Sequence, residues 1–216
     1  MSDFAELRER MVERQIAARG IRDARLLEAL RQVPREEFVS PEYGGQAYGD
    51  HPLPIEAGQT ISQPYIVALM ISAAGIGPGD RVLEVGAGSG YAAAVMSRVA
   101  GEVIAIERKP ELVAIARERM ERLGYGNVEI VEGDGTRGWP DGAPFDAILA
   151  AASGSHVPQP LVDQLAPAGR LVMPVGGALW VQQLVKVTKQ ADGSLETEDL
   201  GGVRFVPLIG EEGWDA

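Results

Sequence analysis

The sequence contains no cysteine among its 216 residues, and this absence excludes several kinds of chemistry at once. Disulfide bonds, thiolate nucleophiles and cysteine-ligated metal sites all need the missing side chain. The two histidines, His51 and His156, lie far apart in the chain, and no carboxylate spacing near them suggests a metal site. We therefore predict no metal, and we interpret both histidines as ordinary loop residues.

Basic residues are also scarce, because 20 Lys and Arg stand against 31 Asp and Glu, a formal net charge of −11. Nucleic-acid binding needs a clustered basic surface, so we predict no nucleic-acid partner. No apolar run approaches the roughly 20 residues of a membrane-spanning helix. The first residues are charged where a signal peptide would be apolar. These features favour a cytoplasmic protein without a membrane partner.

The composition, 45% hydrophobic and 24% charged, is typical of a globular protein that buries a sizeable core. The length suits one domain of ordinary size. We therefore predict a single domain over residues 1–216, and we expect it to be a monomer.

The segment from Arg81 to Tyr91 is the most informative stretch of the chain. It reads RVLEVGAGSGY, which predicts a short buried strand, a glycine-rich turn and then a helix continuing to Val99. Such a unit places free backbone N–H groups at the mouth of a parallel sheet, where nucleotide-like ligands bind. A tight turn without a ligand remains an alternative on these residues alone. The glycines of the turn are Gly86, Gly88 and Gly90.

Strands and helices alternate after this turn. The predicted strands are 103–106, 128–131, 145–149 and 169–175, and the predicted helices are 110–123 and 158–165. Two long strands, 179–189 and 195–206, follow around a turn without a helix between them. The pattern predicts an α/β fold with a doubly wound, mostly parallel sheet and an antiparallel C-terminal strand.

The first 64 residues precede this core. The stretch 3–33 predicts two helices that form an N-terminal helical cap, and the second helix stops before Pro34. The 34–64 loop is rich in proline and glycine, yet its aromatic and apolar residues argue for an ordered, functional loop. A helix starting at Pro64 follows, with Ser62 or Gln63 at its cap. The α/β core then occupies residues 65–216.

Acidic residues follow two of the predicted strands. Glu107 ends the second strand, 17 positions after Gly90, which is about where a carboxylate holds ribose hydroxyls. Asp134 lies between glycines after the next strand, where it could accept the amine of adenine while the Gly135 N–H serves a ring nitrogen. Each residue has a plainer interpretation, as a surface glutamate or as a turn.

The spacing of the glycines limits which ligands the turn can bind. It does not match the dinucleotide fingerprint G-x-G-x-x-G, and the chain has no G-x-x-x-x-G-K-[ST] phosphate loop. An adenosine ligand without a phosphate chain therefore fits better than NAD or ATP. This points to S-adenosylmethionine.

The sequence resembles the class I S-adenosylmethionine-dependent methyltransferases, whose folds are Rossmann-like, and more narrowly the protein-L-isoaspartate O-methyltransferases. The broad resemblance rests on Leu83–Gly90, Glu107 and Asp134. The narrower one covers nearly the whole chain, and its most specific part is Gly58–Pro64, which reads GQTISQP. Further matching segments are Val33–Val39, Ala47–Asp50, Pro52–Ile55, Gly133–Gly135, Gly138–Trp139, Phe145–Ala147, Gln164–Leu165, Gly169–Arg170, Pro174–Gly176 and Phe205–Leu208.

The resemblance implies transfer of a methyl group from S-adenosylmethionine to the α-carboxylate of L-isoaspartyl residues in damaged proteins, leaving S-adenosyl-L-homocysteine. It implies that Ser62, assisted by Thr60, orients this carboxylate. It also implies cofactor contacts by Gln59, Ile61, Glu84, Gly86, Ala87, Gly88, Gly90, Tyr91, Glu107, Arg108, Asp134 and Gly135.

The chain departs from the family pattern in two places. Glu56-Ala57 stands where the family commonly has a glycine, and Ala152–His156 replaces an alanine-rich turn near the expected substrate mouth. Two alternatives remain open at this point. One is a methyltransferase of the same class with another substrate, and the other is a non-enzymatic adenosine-binding module in which Thr60–Pro64 only caps a helix.

Overall fold

The structure is a computed structural model that describes residues 4–177 and 180–215. Its N-terminal part is a helical cap made of α1 (Phe4–Met11) and α2 (Ala24–Gln32). A π-helical turn (Val12–Ile16) and a 3₁₀ turn (Ala17–Arg19) extend α1 as far as a left-handed glycine at position 20. The predicted pair of helices is confirmed from residue 4 onward, and Asp3 lies outside the described residues.

The 34–64 loop is ordered, as predicted. It contains 3₁₀ turns at Arg35–Phe38, Pro41–Gln46 and Glu56–Gly58. Two short strands, β1 (Leu53–Pro54) and β2 (Thr60–Ile61), pair in antiparallel fashion. Phe38, Leu53, Ile55 and Ile61 are buried in the main core, and their burial explains why the loop is ordered.

The remaining residues form the α/β core. Its helices are α3 (Pro64–Ala74), α4 (Tyr91–Ser97), α5 (Pro110–Leu123) and α6 (Gln159–Asp163). Its strands are β3 (Arg81–Val85), β4 (Glu102–Glu107), β5 (Val128–Glu132), β6 (Phe145–Ala150), β7 (Leu165–Val175), β8 (Gln182–Lys189) and β9 (Leu195–Val203). Two 3₁₀ turns, Gly135–Arg137 and Pro140–Gly142, lie between β5 and β6.

The seven strands of the core sheet lie in the order β5-β4-β3-β6-β7-β8-β9. β3 to β7 pair in parallel, and β8 is antiparallel to both of its neighbours. β9 therefore runs in the same direction as β7. The predicted mostly parallel sheet is confirmed, and the antiparallel strand is β8 rather than the edge strand β9.

Both faces of the sheet are covered, which explains the nearly continuous apolar runs of its central strands. Side chains alternate between faces along a strand, so Val82 packs in the core with α3, α4 and α5, while Leu83 packs in the second core with Leu161 of α6. Within the described residues, no helix is long and apolar enough to cross a membrane.

Two predicted boundaries were wrong. The helix predicted at 158–165 ends at Asp163, and the strand predicted from Gly169 begins at Leu165. The reason is tertiary: the Gln164 carbonyl accepts a hydrogen bond from the Phe145 N–H, and Leu165 pairs with Phe145 in the sheet. A register shift then brings Arg170 opposite Ala147.

The predicted C-terminal hairpin is present but shorter. β8 begins at Gln182 instead of Leu179, which lies outside the described residues, and β9 ends at Val203 instead of Val206. The chain leaves the sheet after Val203 because the Phe205 N–H donates to the Gln182 side chain and the following residues cover the site described next.

Candidate active site

A cavity of about 540 Å³ opens at the carboxyl ends of the parallel strands. Four groups of residues line it: the turn after β3 with the end of β4, the segment Gly58–Ser62 with α3, Gly135 with the end of β6 and the turn after it, and the C-terminal segment Phe205–Ile209. This edge of an open α/β sheet is where ligands usually bind, because the turns after neighbouring strands meet there.

The glycine turn forms one wall of the cavity. All three glycines have positive φ angles, 89° at Gly86, 54° at Gly88 and 88° at Gly90. Gly86 and Gly88 line the cavity, whereas Gly90 is the N-cap of α4 and lies outside the lining. A Cβ on Gly90 would lie 2.9 Å from Cε of Met120, so this glycine lies close against α5, and its predicted cofactor contact stays a prediction. Ala87 and Tyr91 also line the cavity, as does Arg108 from the turn after β4.

Glu107 connects this turn to the start of α5. Its Oε2 accepts the Gly88 N–H at 3.0 Å, and its Oε1 accepts the N–H groups of Arg108 and Lys109 at 2.9 and 3.0 Å. A carboxylate offers about four acceptor positions, and these bonds use three of them. Glu107 lines the cavity, so its remaining capacity is available to a ligand hydroxyl.

Glu84 is the second buried acid of the lining. Its Oε2 is buried and has no hydrogen-bond partner within the described part of the chain. Burial raises the pKa of Glu84 well above its ordinary value, and the negative charge of Glu107 raises it further. A buried acid with an unpaired oxygen suits the positively charged part of a ligand.

Asp134 lies outside the cavity lining, although the next residue, Gly135, is part of it. Its Oδ1 accepts the backbone N–H and the hydroxyl of Thr136, and its Oδ2 accepts the Glu211 N–H at 2.8 Å. Burial acts to raise the pKa of Asp134, but these hydrogen bonds outweigh it and the pKa lies below its ordinary value. The carboxylate thus caps a 3₁₀ turn and holds the C-terminal tail, and its predicted contact with adenine stays a prediction.

The predicted substrate segment forms the opposite wall. Gln59, Thr60, Ile61 and Ser62 all line the cavity. The cap of α3 is Gln63, with Pro64 in the first turn and no side-chain capping bond. The interpretation of Ser62 as the helix cap is therefore wrong, and within the described residues its hydroxyl makes no side-chain hydrogen bond.

The two departures from the family pattern lie at this site. Ala57 has a φ angle of 54°, a left-handed conformation that glycine adopts freely and alanine adopts with strain. Glu56 forms an ion pair with Arg119 at 3.2 Å, and Arg119 also donates to the Ser89 carbonyl. This contact ties the 34–64 loop to the glycine turn.

The second departing segment, Ala152–His156, holds the C-terminal segment Phe205–Ile209, which lines the cavity and was not predicted to do so. The Ser153 N–H donates to the Val206 carbonyl, and the Ser153 carbonyl accepts from the Leu208 N–H, both at 2.8 Å. Nε1 of Trp214 donates to the same Ser153 carbonyl at 2.9 Å. The match to the family over Phe205–Leu208 was the available signal, but nothing local shows that this segment reaches a cavity whose other lining residues lie more than fifty positions earlier.

Both histidines are exposed loop residues in the structure. His156 contacts only its neighbour Ser155 through Nδ1, at 3.0 Å, among the hydrogen bonds of the described chain. Over residues 4–177 and 180–215, no group of three or more His, Cys, Asp or Glu side chains could hold a metal ion.

A glycine turn after the first core strand, an acidic residue at the end of the next, and five parallel strands joined to an antiparallel one define the class. This is the architecture of the class I S-adenosylmethionine-dependent methyltransferases. The chain matches the protein-L-isoaspartate(D-aspartate) O-methyltransferase family over residues 6–213, and it belongs to that family.

Relatives of known sequence agree with this membership. The chain is 57% identical over 213 residues to protein-L-isoaspartate O-methyltransferase 1 of Rhodopseudomonas palustris strain HaA2, covering 99% of this chain and 87% of the relative. It is 52% identical over 215 residues to protein-L-isoaspartate O-methyltransferase 1 of Syntrophobacter fumaroxidans, covering 100% of both chains.

Solved structures agree as well. One protein-L-isoaspartate O-methyltransferase superposes with a TM-score of 0.87 at 33% identity, covering 95% of this chain and 67% of that one. A putative protein-L-isoaspartate O-methyltransferase from Plasmodium falciparum, solved in complex with S-adenosyl-L-homocysteine, superposes with a TM-score of 0.79 at 29% identity, covering 94% of this chain and 98% of that one.

Proposed function

We propose that this chain is a protein-repair methyltransferase that moves the methyl group of S-adenosylmethionine to the α-carboxylate of L-isoaspartyl residues. Its partners are damaged proteins and peptides that contain such residues. The observation that carries the proposal is that one cavity joins the glycine turn and Glu107 to the segment Gln59–Ser62. Family membership supports the same assignment.

The cofactor is held along the glycine turn. Glu107 holds the ribose by accepting one of its hydroxyls at the remaining acceptor position, and Glu84 provides a buried acid for the positively charged end. Gly86 and Gly88 have no side chain, so the cofactor can approach the backbone of the turn closely. The cofactor also contacts Ala87, Tyr91 and Arg108, which line the cavity beside these glycines. Gln59, Ile61 and Gly135 also line the cavity and contact the cofactor. Asp134, next to Gly135, supports this contact by capping the turn that Gly135 begins.

S-adenosylmethionine, when bound, supplies an activated methyl group on a positively charged sulfur. The accepting carboxylate has an ordinary pKa near 4. It is already ionised at pH 7, so the protein needs no general base. The protein contributes by orienting the attacking oxygen towards the methyl group, which can lower the activation barrier by several kcal/mol. It also excludes water from the attacking oxygen.

Ser62 orients the substrate. Its hydroxyl is free to donate to one carboxylate oxygen because it does not cap α3. Thr60, on the same wall, assists together with neighbouring backbone N–H groups. The 34–64 loop shapes the entrance for the peptide.

The test of the proposed function uses labelled S-adenosylmethionine and two peptides that differ only in an isoaspartyl or an aspartyl linkage. Base-labile methyl incorporation into the isoaspartyl peptide alone is the expected result. Incorporation into another acceptor would favour a methyltransferase with a different substrate. Cofactor binding without any transfer would favour the adenosine-binding module.

Ser62→Ala tests the substrate assignment. Loss of a hydrogen bond to a charged group is worth about 1.5–3 kcal/mol, so turnover on the isoaspartyl peptide should fall about 10- to 100-fold. Affinity for S-adenosyl-L-homocysteine, measured by titration calorimetry, should change little. The matched control is Ser72→Ala, at the far end of α3 and outside the cavity lining. Unchanged turnover in Ser62→Ala would remove Ser62 from the mechanism.

Three sequence predictions stay predictions for this chain. They are the organisation of residues 1–216 as one domain, the monomeric state and the cytoplasmic location.

A further inference from the structure

Arg35 is fully buried, with 0% of its surface exposed, and it is among the largest side chains in the protein interior. A buried charge is costly unless it is paired or well hydrogen-bonded. Among the described residues, no carboxylate lies within ion-pair distance of Arg35. Burial lowers the pKa of its guanidinium, which reflects this cost.

The guanidinium contacts three separate parts of the protein instead. Nε donates to the Ala47 carbonyl at 2.7 Å, and Nη2 donates to the Ser62 carbonyl at 2.8 Å. The guanidinium carbon lies 4.7 Å from the centre of the Tyr91 ring. Nη1 of Arg35 and the hydroxyl of Tyr91 are both buried, and in the described chain neither has a partner other than the contact between these two residues.

These partners belong to the two walls of the cavity. Tyr91 is the first residue of α4, directly after the glycine turn, and it lines the cavity. Ser62 lies on the facing wall, and Ala47 belongs to the 34–64 loop that leads to it. A planar guanidinium can hold two carbonyls and stack on a ring at once, which an ammonium group cannot do.

Holding the Ser62 carbonyl restricts the peptide unit to which the Ser62 side chain is attached. The backbone position from which the Ser62 hydroxyl projects is therefore restrained by a contact that lies outside the cavity, since Arg35 is not part of the lining. Methyl transfer depends on alignment of the acceptor oxygen, and a displacement of about 1 Å can reduce a rate about 100-fold.

We propose that Arg35 is a positioning residue for methyl transfer, holding the backbone of Ser62 at a set distance from Tyr91 and the cofactor wall. The proposal rests on the proposed role of Ser62 in orienting the substrate carboxylate. Arg35 lies outside the cavity lining, so it acts through Ser62 and Tyr91.

A double-mutant cycle tests this inference. Arg35→Lys, Ser62→Ala and the combined variant are compared for kcat and KM on a defined isoaspartyl peptide, for calorimetric affinity for S-adenosyl-L-homocysteine, and for melting temperature. Arg35→Lys should lower kcat about 10- to 100-fold. In the Ser62→Ala background the same change should lower kcat no further than about twofold, because coupled residues are not additive.

Arg170→Lys is the matched control. Arg170 also donates to two backbone carbonyls, those of Ala74 at 2.7 Å and Gly75 at 3.2 Å, but at the opposite end of the sheet. Unlike Arg35, it also forms an ion pair, with Asp80 at 3.1 Å. Its substitution should lower the melting temperature and leave kcat unchanged. Arg35→Gln, which removes the buried charge and keeps an amide donor, serves if the lysine variant does not fold, and it should show the same coupling to Ser62.

The outcomes separate the two proposals. If Ser62→Ala alone keeps full turnover, the proposed role of Ser62 fails and the positioning role fails with it. If Ser62→Ala loses turnover but the two losses multiply, Arg35 acts independently of Ser62 and only this inference is overturned. A lower melting temperature with kcat retained in Arg35→Lys would show a purely structural residue and would also overturn it.

Discussion

At the scale of single residues, the cavity contains two buried acids that differ in hydrogen bonding. Glu107 accepts three backbone N–H groups, whereas Glu84 accepts one, from Ala93, and its Oε2 has no partner among the described residues. The same residue type therefore serves two purposes. Glu107 stabilises the glycine turn as a carboxylate, while burial next to Glu107 keeps a proton on Glu84 over a wider pH range.

The raised pKa of Glu84 predicts how the stability of the cofactor-free protein depends on pH. The unfolded chain releases this proton near the ordinary pKa of 4.5, but the folded protein retains it to higher pH. The folded state then binds more protons than the unfolded state, so this group lowers stability progressively as the pH rises above about 4.5. Glu84→Gln should therefore raise the melting temperature at neutral pH, and the gain should vanish below pH 4.5.

Melting curves between pH 4 and 8 give the measurement. Glu132→Gln, exposed at the end of β5, gives the effect of the same substitution at the surface. A difference between wild type and Glu84→Gln that stays constant across the pH range would contradict the prediction.

At the scale of elements, the 34–64 loop carries strain at a place where the family usually has glycine. Ala57 is left-handed with a φ angle of 54°, inside the 3₁₀ turn Glu56–Gly58. The same turn is held to α5 by the Glu56–Arg119 ion pair. An alanine therefore holds a backbone conformation that glycine adopts more easily.

Ala57→Gly should stabilise the protein. A left-handed alanine costs about 1–2 kcal/mol, and the greater freedom of glycine in the unfolded chain cancels part of this, about 0.5–1 kcal/mol. The expected net gain in the free energy of unfolding is about 0.5–1 kcal/mol, measured by urea denaturation. Ala73→Gly, within α3, should instead lose about 1 kcal/mol. Equal or lower stability of Ala57→Gly would show that the turn is not strained.

At the scale of the whole molecule, the cavity is built from segments that are far apart in the chain. Gly58–Ser62 lies on one side, and Phe205–Ile209 closes another. The acidic tail follows this wall and is held by Asp134 and by the Trp214 contact with Ser153. The tail therefore acts as an anchor for the cofactor site.

Trp214→Ala should weaken binding of S-adenosyl-L-homocysteine. The substitution removes a hydrogen bond worth about 1 kcal/mol and the packing of the indole, so affinity should fall about fivefold or more. Titration calorimetry measures the change. Trp180→Ala is the control, because Trp180 is 77% exposed and lies outside the cavity lining. Equal affinities of the two variants would show that the tail does not support the site.

The sequence by itself determined the order of the core elements, the glycine turn and Glu107 at the end of β4. These features follow from local patterns: apolar runs, glycines that permit positive φ angles, and prolines that begin helices. Boundaries that depend on a distant partner were wrong, such as the start of β7, where Leu165 pairs with Phe145.

Only the tertiary structure decided which distant residues share the cavity. In the folded protein, Phe205–Ile209 and the glycine turn line the same cavity, and Gly90 lies close against α5. Asp134 accepts a hydrogen bond from the C-terminal tail, and Arg35 lies between Ser62 and Tyr91. The physical reason is that the burial and the hydrogen-bond partners of a residue depend on segments that come into contact only on folding. A local sequence pattern does not indicate which distant segments these are.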